Sequence, residues 1–168
     1  NLQTGKLADR LDTKVRSRAM AVARDSNILL WALNSSGSGN LRLFAMRGGP
    51  LGQLNCRRTP VTIAISDNGR LVAAGSSDDN VYVWSLRPAK TAGPFSGLGR
   101  DPNHVALSFD GRLVAACSFE QAMVWDINSG NMISRMPTTR SCYRIAFSPD
   151  GQRLLSAGMM NEVTLWNV

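Results

Sequence analysis

Several residue types are nearly missing from this chain. It has a single histidine, His104, in 168 residues. A Ser-His-Asp triad would have to pass through that one imidazole, and nothing in the sequence marks a nucleophile elbow or an oxyanion hole. The three cysteines, Cys56, Cys117 and Cys142, are odd in number and widely spaced. That pattern argues against a disulfide framework and fits free thiols in a reducing compartment. Cys117 lies in an apolar run and reads as a small core residue. With no Cys-x-x-Cys pair and one histidine, a zinc site is not expected. The Gly-rich stretches lack the Gly-Lys-Ser/Thr ending that grips phosphate, so no nucleotide loop and no cofactor are expected. No apolar run approaches the roughly 18 residues of a membrane-spanning helix. The chain begins Asn1-Leu2-Gln3, without a Met and without a signal-peptide pattern, which leads us to expect a processed, excised or partial chain in an intracellular setting, cytoplasmic or nuclear.

What is present is a buriable core. The chain is 43% hydrophobic and 18% charged, which excludes disorder as its main state. Its apolar residues come in short runs. Between Val105 and Asp126 three such runs, 105–107, 113–117 and 122–125, are separated by Phe109-Asp110-Gly111 and by a polar tip at 119–121. Val, Leu, Ala and Trp in runs of this length, bounded by Asp-Gly, predict three antiparallel strands. Gly111 supplies the positive φ that a tight turn demands.

The same unit recurs. Residues 63–74 match residues 105–116 almost position for position, residues 145–151 open another copy, and residues 20–27 open a degenerate one. Each copy closes on an aromatic, Phe44, Trp84, Trp125 or Trp166, spaced 40, 41 and 41 residues apart. A period near 40 with a terminal Trp, the dipeptide Trp125-Asp126 and the run Phe147-Ser148-Pro149-Asp150-Gly151 together resemble the WD-repeat (WD40) family. The resemblance covers essentially the whole chain. It implies an all-β fold of β-propeller blades, each of four antiparallel strands, in four WD40-like repeats. The repeats are degenerate. Of the family's His, Ser/Thr, Asp and Trp set, the second copy alone keeps the Asp (Asp78); Phe119 and Met160 stand at the matching places elsewhere. No copy keeps the Gly-His pair.

The family pattern divides the chain into residues 1–13 (an outer strand of the preceding or last blade, with Thr4-Gly5 as its turn) and repeats at 14–55, 56–96, 97–137 and 138–168, the last lacking its outer strand. A larger propeller of about seven blades is the expected setting; closure of four blades on themselves and an eight-bladed pair of chains are the alternatives. Residues 34–40 make a Ser/Gly-rich tip. Residues 87–99, with two prolines and three glycines, are expected to replace a clean outer strand in the second blade with a bulged or covered edge. The recurring aromatics Phe44, Trp84, Trp125, Trp166 and Phe147 are expected in the core. Asp78-Asp79 is expected on a solvated hairpin tip.

Charge is the functional clue. The formal net charge is +7, carried by 16 Arg and only 3 Lys. Arginines recur before the first strand of each copy: Arg16 and Arg18, Arg57 and Arg58, Arg100, then Arg140 and Arg144. In the family this connection lies on the face where the central channel opens, and that face commonly binds partners. The resemblance therefore implies partner contact through Arg18, Arg58, Arg100, His104, Arg140, Tyr143 and Arg144. Guanidinium groups grip carboxylates and phosphates in bidentate fashion, so an acidic protein segment suits them, with a nucleic-acid backbone as the alternative. The expected role is a non-enzymatic scaffold for protein–protein contacts in a complex; the alternative is an RNA-contacting subunit of a ribonucleoprotein. A second set, Arg70, Arg112 and Arg153, follows the Asp-Gly and Asn-Gly turns and is assigned no function.

Overall fold

The computed structural model describes residues 17–23, 28–33, 39–45, 49–138, 141–159 and 162–168, with only the backbone of Ser17, Arg18, Trp31, Leu33 and Gly49. Expectations placed on residues 1–13, Arg16, 34–38, Arg140 and Met160 lie outside the described residues.

Short apolar runs separated by turns fold here as antiparallel meanders. The first sheet is β1 (Ser17–Val22), β2 (Ile28–Leu33), β3 (Gly39–Ala45) and β4 (Gly49–Cys56). The second is β5 (Pro60–Ile65), β6 (Leu71–Ser76), β7 (Val81–Leu86) and β8 (Ala89–Phe95). The third is β9 (His104–Leu107), β10 (Leu113–Cys117), β11 (Gln121–Asp126) and β12 (Met132–Pro137). The fourth holds β13 (Cys142–Phe147), β14 (Arg153–Gly158) and β15 (Val163–Asn167). Strand order within each sheet is sequence order, so every connection is a hairpin. Between sheets, β1 packs along β5, β5 along β9, and β9 along β13. The first strands of the sheets thus stand side by side as the inner strands.

Each sheet meets the next in the same way. The face carrying the aromatic of one sheet lies against the opposite face of the sheet before it. Trp125, Val114 and Val105 pack on Ala73, Val81 and Val83. Trp84, Val72 and Ile63 pack on Leu30, Leu41 and Leu43. Leu154, Ile145 and the half-buried Trp166 pack on Ala115, Ala122 and Val124. The second and third sheets are covered on both faces, which is why β6 and β10 read as runs of small apolar residues without alternation. Burying a valine such as Val114 or Val124 completely contributes about 1.5–3 kcal/mol relative to exposure. The fourth sheet has one covered face, and β14 and β15 alternate accordingly: Leu154 is buried while Leu155, Val163 and Leu165 are exposed.

Three sequence expectations need correction. Residues 87–99 do not lack an outer strand, since β8 occupies 89–95 and pairs with β7, while the irregular edge expected there is present as a register shift between Val81 and Val83. An edge strand tolerates Pro88 and Pro94 at its ends because a missing amide hydrogen there leaves no ladder bond unmade. Trp84 and Trp125 are core, but Phe44, Phe147 and Trp166 are only half-buried. Phe44 is on the uncovered face of the first sheet, while Trp166 packs on the third sheet but lies on β15, the edge strand among the described residues. Phe147 sits at the end of β13, where Ile65 and Leu107 are half-buried too. Asp78 is not a solvated tip residue. It is half-buried and accepts a hydrogen bond from the Tyr82 hydroxyl at 2.7 Å; Asp79 beside it is exposed, at φ +64°.

Candidate functional site

The sheets have two different ends. At one end the inner strand turns into its neighbour through Ser-x-Asn/Asp-Gly, and the polar atoms there satisfy one another. Ser108 Oγ donates to Asp110 Oδ1 (2.6 Å) and accepts the Leu113 amide (2.9 Å), while Asp110 accepts the Arg112 amide (3.0 Å). Ser66 and Asn68 repeat the arrangement with Leu71 and Arg70, and Ser148 and Asp150 repeat it with Arg153 and Gln152. Gly69, Gly111 and Gly151 hold φ between +65° and +72° at the same step. The serine hydroxyl and two neighbouring guanidinium or amide groups hold the Asp110 and Asp150 carboxyls below the usual range. Arg112 Nε donates to Asp126 Oδ2 at 2.9 Å, and Asp126 Oδ1 also accepts the Asn128 and Ser129 amides, which lowers its pKa to about 2. Arg112 therefore has the structural role that the sequence left unassigned, and the Asp of the Trp-Asp dipeptide closes the turn after β11. Trp166 Nε1 donates to Ser156 Oγ at 2.8 Å; the positions equivalent to Ser156 in the second and third sheets are Ala74 and Ala116, which offer no acceptor to Trp84 or Trp125.

The other end is where the inner strands begin. A cavity of about 270 Å³ is lined by Ala19 and Met20 of β1, Val61–Ile63 of β5, Asn103, His104 at the start of β9, and Arg144 of β13. The four inner strands thus open onto one mouth. Arg57 and Arg58 are exposed on the loop into β5 and line an adjoining polar cleft with Thr59 and Ser77. Arg100 is exposed on the loop into β9, with its guanidinium 5.5 Å from the Phe119 ring centroid on the β10–β11 tip. Arg144 is exposed beside Tyr143, whose carbonyl accepts its Nη1–H at 2.8 Å. Arg18 lies in β1, the inner strand of the first sheet, and its side chain is outside the description; Arg140 lies wholly outside it. Of the residues that the sequence singled out, Arg58, Arg100, His104, Tyr143 and Arg144 come to this end, and His104 and Arg144 come to one cavity.

This end is not uniformly basic. Asp78 and Asp79 on the β6–β7 turn, Asp101, and Glu120 on the β10–β11 tip share it. The carboxylates stand on tips and loops, and the lining of the mouth described above contains none. His104 is half-buried; burial first, and then the Arg144 guanidinium, push its pKa down, so the ring is neutral at physiological pH. Its Nδ1 accepts the Ile145 amide at a long 3.4 Å, which leaves the proton on Nε2. Asn103, which the sequence did not mark, ties the third sheet to the fourth: its Nδ2 donates to the Cys142 carbonyl at 2.8 Å. A contact across 39 residues leaves no local signal in the sequence.

The cysteines are buried. Burial pushes the Cys56 thiol up to about 12, and the hydrogen bond with the Cys142 thiol, then burial, push Cys117 upward, which keeps both protonated and unreactive. Among the described residues there is no cluster of three or more His, Cys, Asp or Glu that could hold a metal ion, and no helix long and apolar enough to cross a membrane.

Against known proteins, residues 48–85 match the family model for the WD domain, G-beta repeat. That match runs from the β4 strand to the penultimate residue of β7, across the sheet whose aromatic is Trp84. Residues 48–85 carry a WD repeat. Similar relatives include the Periodic tryptophan protein 2 homolog of Schizosaccharomyces pombe, 28% identical over 63% of this chain. Transducin beta-like protein 2 of Homo sapiens is 25% identical over 83% of the chain, and Small ribosomal subunit protein RACK1y of Oryza sativa is 29% identical over 58%. The aligned regions span 13%, 35% and 29% of those three proteins, so this chain corresponds to a minor part of each.

Proposed function

We propose that this chain is a non-enzymatic scaffold inside the cell, holding other proteins in a complex through the end of its sheets where the inner strands begin. The observation that carries the reading is the contrast in how polar groups are used. At the turn end, serine, Asn/Asp and backbone groups bond to one another. At the strand-start end, Arg57, Arg58, Arg100, Tyr143 and Arg144 are exposed, with Arg144 lining the mouth and Arg57 and Arg58 lining a separate cleft. Arginine with neighbouring tyrosine is the composition of residues that anchor protein contacts, and WD-repeat relatives make a binding module the natural class. The fitting partner is an acidic protein segment, since planar guanidinium forks match carboxylates. RNA contact is the second reading, favoured by one relative being named a small ribosomal subunit protein.

The test is a charge reversal at each end. Arg58→Glu with Arg100→Glu and Arg144→Glu is expected to remove co-purifying proteins, as quantified by mass spectrometry, while Arg70→Glu with Arg153→Glu at the turn end retains them. Equal retention in both variants would refute the assignment. Loss of the same proteins on RNase treatment, with affinity falling steeply as salt rises, would transfer the reading to RNA.

A further inference from the structure

We propose that the mouth formed by the inner strands is a carboxylate subsite, in which the Arg144 guanidinium and the His104 Nε2–H receive one acidic side chain, Asp or Glu, of the partner segment. The inference rests on the scaffold reading above and narrows it from a surface to a pocket. Three observations support it.

The first is the inventory of the cavity. Its lining offers a guanidinium and an imidazole N–H as donors and, among the described residues, no carboxylate that would already occupy them. The carboxylates described on this end stand on its loops and tips: Asp78 and Asp79 near Arg57 and Arg58, Asp101 and Glu120 near Arg100, and Glu162 on the β14–β15 connection of the sheet that carries Arg144. The rim is mixed, whereas the mouth holds donors and positive charge.

The second is positioning. Arg144 is held by the hydrogen bond from its own Nη1 to the Tyr143 carbonyl, and β13 is fixed to the third sheet by Asn103. His104 is fixed through Nδ1 by the Ile145 amide. Donors set by backbone contacts before a ligand arrives cost little ordering on binding.

The third is size and setting. A cavity of about 270 Å³ lies below the usual range for a small-molecule pocket and accommodates one acidic side chain. Ala19, Met20, Val61, Thr62, Ile63 and Asn103 complete the lining, and none of them carries a charge that would compete with the incoming carboxylate. Burial first, and then the Arg144 charge, disfavour a protonated His104, and no carboxylate is among the lining residues.

The probe is acetylated hexaglutamate peptide carrying a fluorophore, with the hexaglutamine peptide as its neutral control, and binding is read by anisotropy on the full chain. Arg144→Ala is expected to weaken hexaglutamate binding at least 10-fold, His104→Leu by several-fold, and Arg144→Lys by less than Arg144→Ala. The His104 imidazole resonances are expected to shift on titration in the wild-type chain and to stay still with hexaglutamine. If Arg144→Ala and His104→Leu bind as the wild type does while Arg58→Glu with Arg100→Glu loses binding, the pocket is wrong and the wider surface stands. If none of these variants changes binding, or hexaglutamine binds equally well, both fall.

Discussion

The two ends of the same strands have been put to opposite uses. The turn end is nearly the same three times over, with Ser66, Ser108 and Ser148 each capping a turn that Asn68, Asp110 or Asp150 closes from within. The strand-start end is different in every copy: Arg57-Arg58 in one, Arg100 over Phe119 in another, Tyr143-Arg144 in a third. A repeat that must stack on its neighbours keeps its turn chemistry, because each hydrogen bond there is local and pins strand register. Residues that do not pin register can diverge between copies, and this is where contact specificity can be built.

That contrast can be broken by mutation. The largest effect is expected from removing one turn's internal bonds: Ser108→Ala with Asp110→Ala loses two hydrogen bonds to backbone amides and should cost about 2 kcal/mol of unfolding free energy in urea. A smaller loss, about 1–2 kcal/mol, is expected for Gly111→Ala, since φ +72° disfavours a side chain and its Cβ would meet Leu71 Cδ1 at 2.8 Å. Gly130→Ala, at φ +77° but facing open space, should cost less than Gly111→Ala.

Acid should act through the turn end as well. Asp110, Asp126 and Asp150 all titrate below their ordinary value of 3.8 when folded, Asp126 at about 2. The unfolded chain therefore binds more protons in that window. Their stabilising contribution is complete above about pH 4 and is lost as pH falls through the folded values toward 2. The melting temperature should decline across that interval, and Asp126→Asn should flatten the decline. His104, lowered from 6.5, adds a term of the same sign at higher pH: present above its unfolded value, lost as pH falls below it. The smallest effect belongs to the other end. Arg58→Ala and Arg144→Ala, on exposed side chains, should leave stability unchanged within about 0.5 kcal/mol while weakening partner binding. A large stability loss there would show that the strand-start arginines are structural.

The all-β fold and its blades were legible because the signals are local and repeated: Asp110-Gly111, Asn68-Gly69, and an aromatic every 40 or 41 residues. What the sequence hid depends on neighbours distant in the chain. Residues 87–99 look irregular because Pro and Gly dominate them, yet pairing with β7 makes them a strand. Phe44 and Trp166 sit at the same phase as Trp84, and only the arrangement of the sheets shows that Phe44 is on an uncovered face and that Trp166 is on an edge strand. For the candidate site, the arginine positions could be read, but not the carboxylates interleaved with them in space, the cross-sheet role of Asn103, or the meeting of His104 with Arg144 in one cavity.

The most direct measurement is site-mapped photo-crosslinking of a benzophenone-bearing hexaglutamate peptide to the intact chain, read by peptide mass spectrometry. Crosslinks concentrated at residues 57–63, 100–104 and 141–145 are the expected result, with loss on adding excess unlabelled peptide. Crosslinks concentrated instead at the turns 66–70, 108–112 and 148–153, or on the exposed face of Leu155, Val163 and Leu165, would contradict the assignment of the strand-start end as the contact surface.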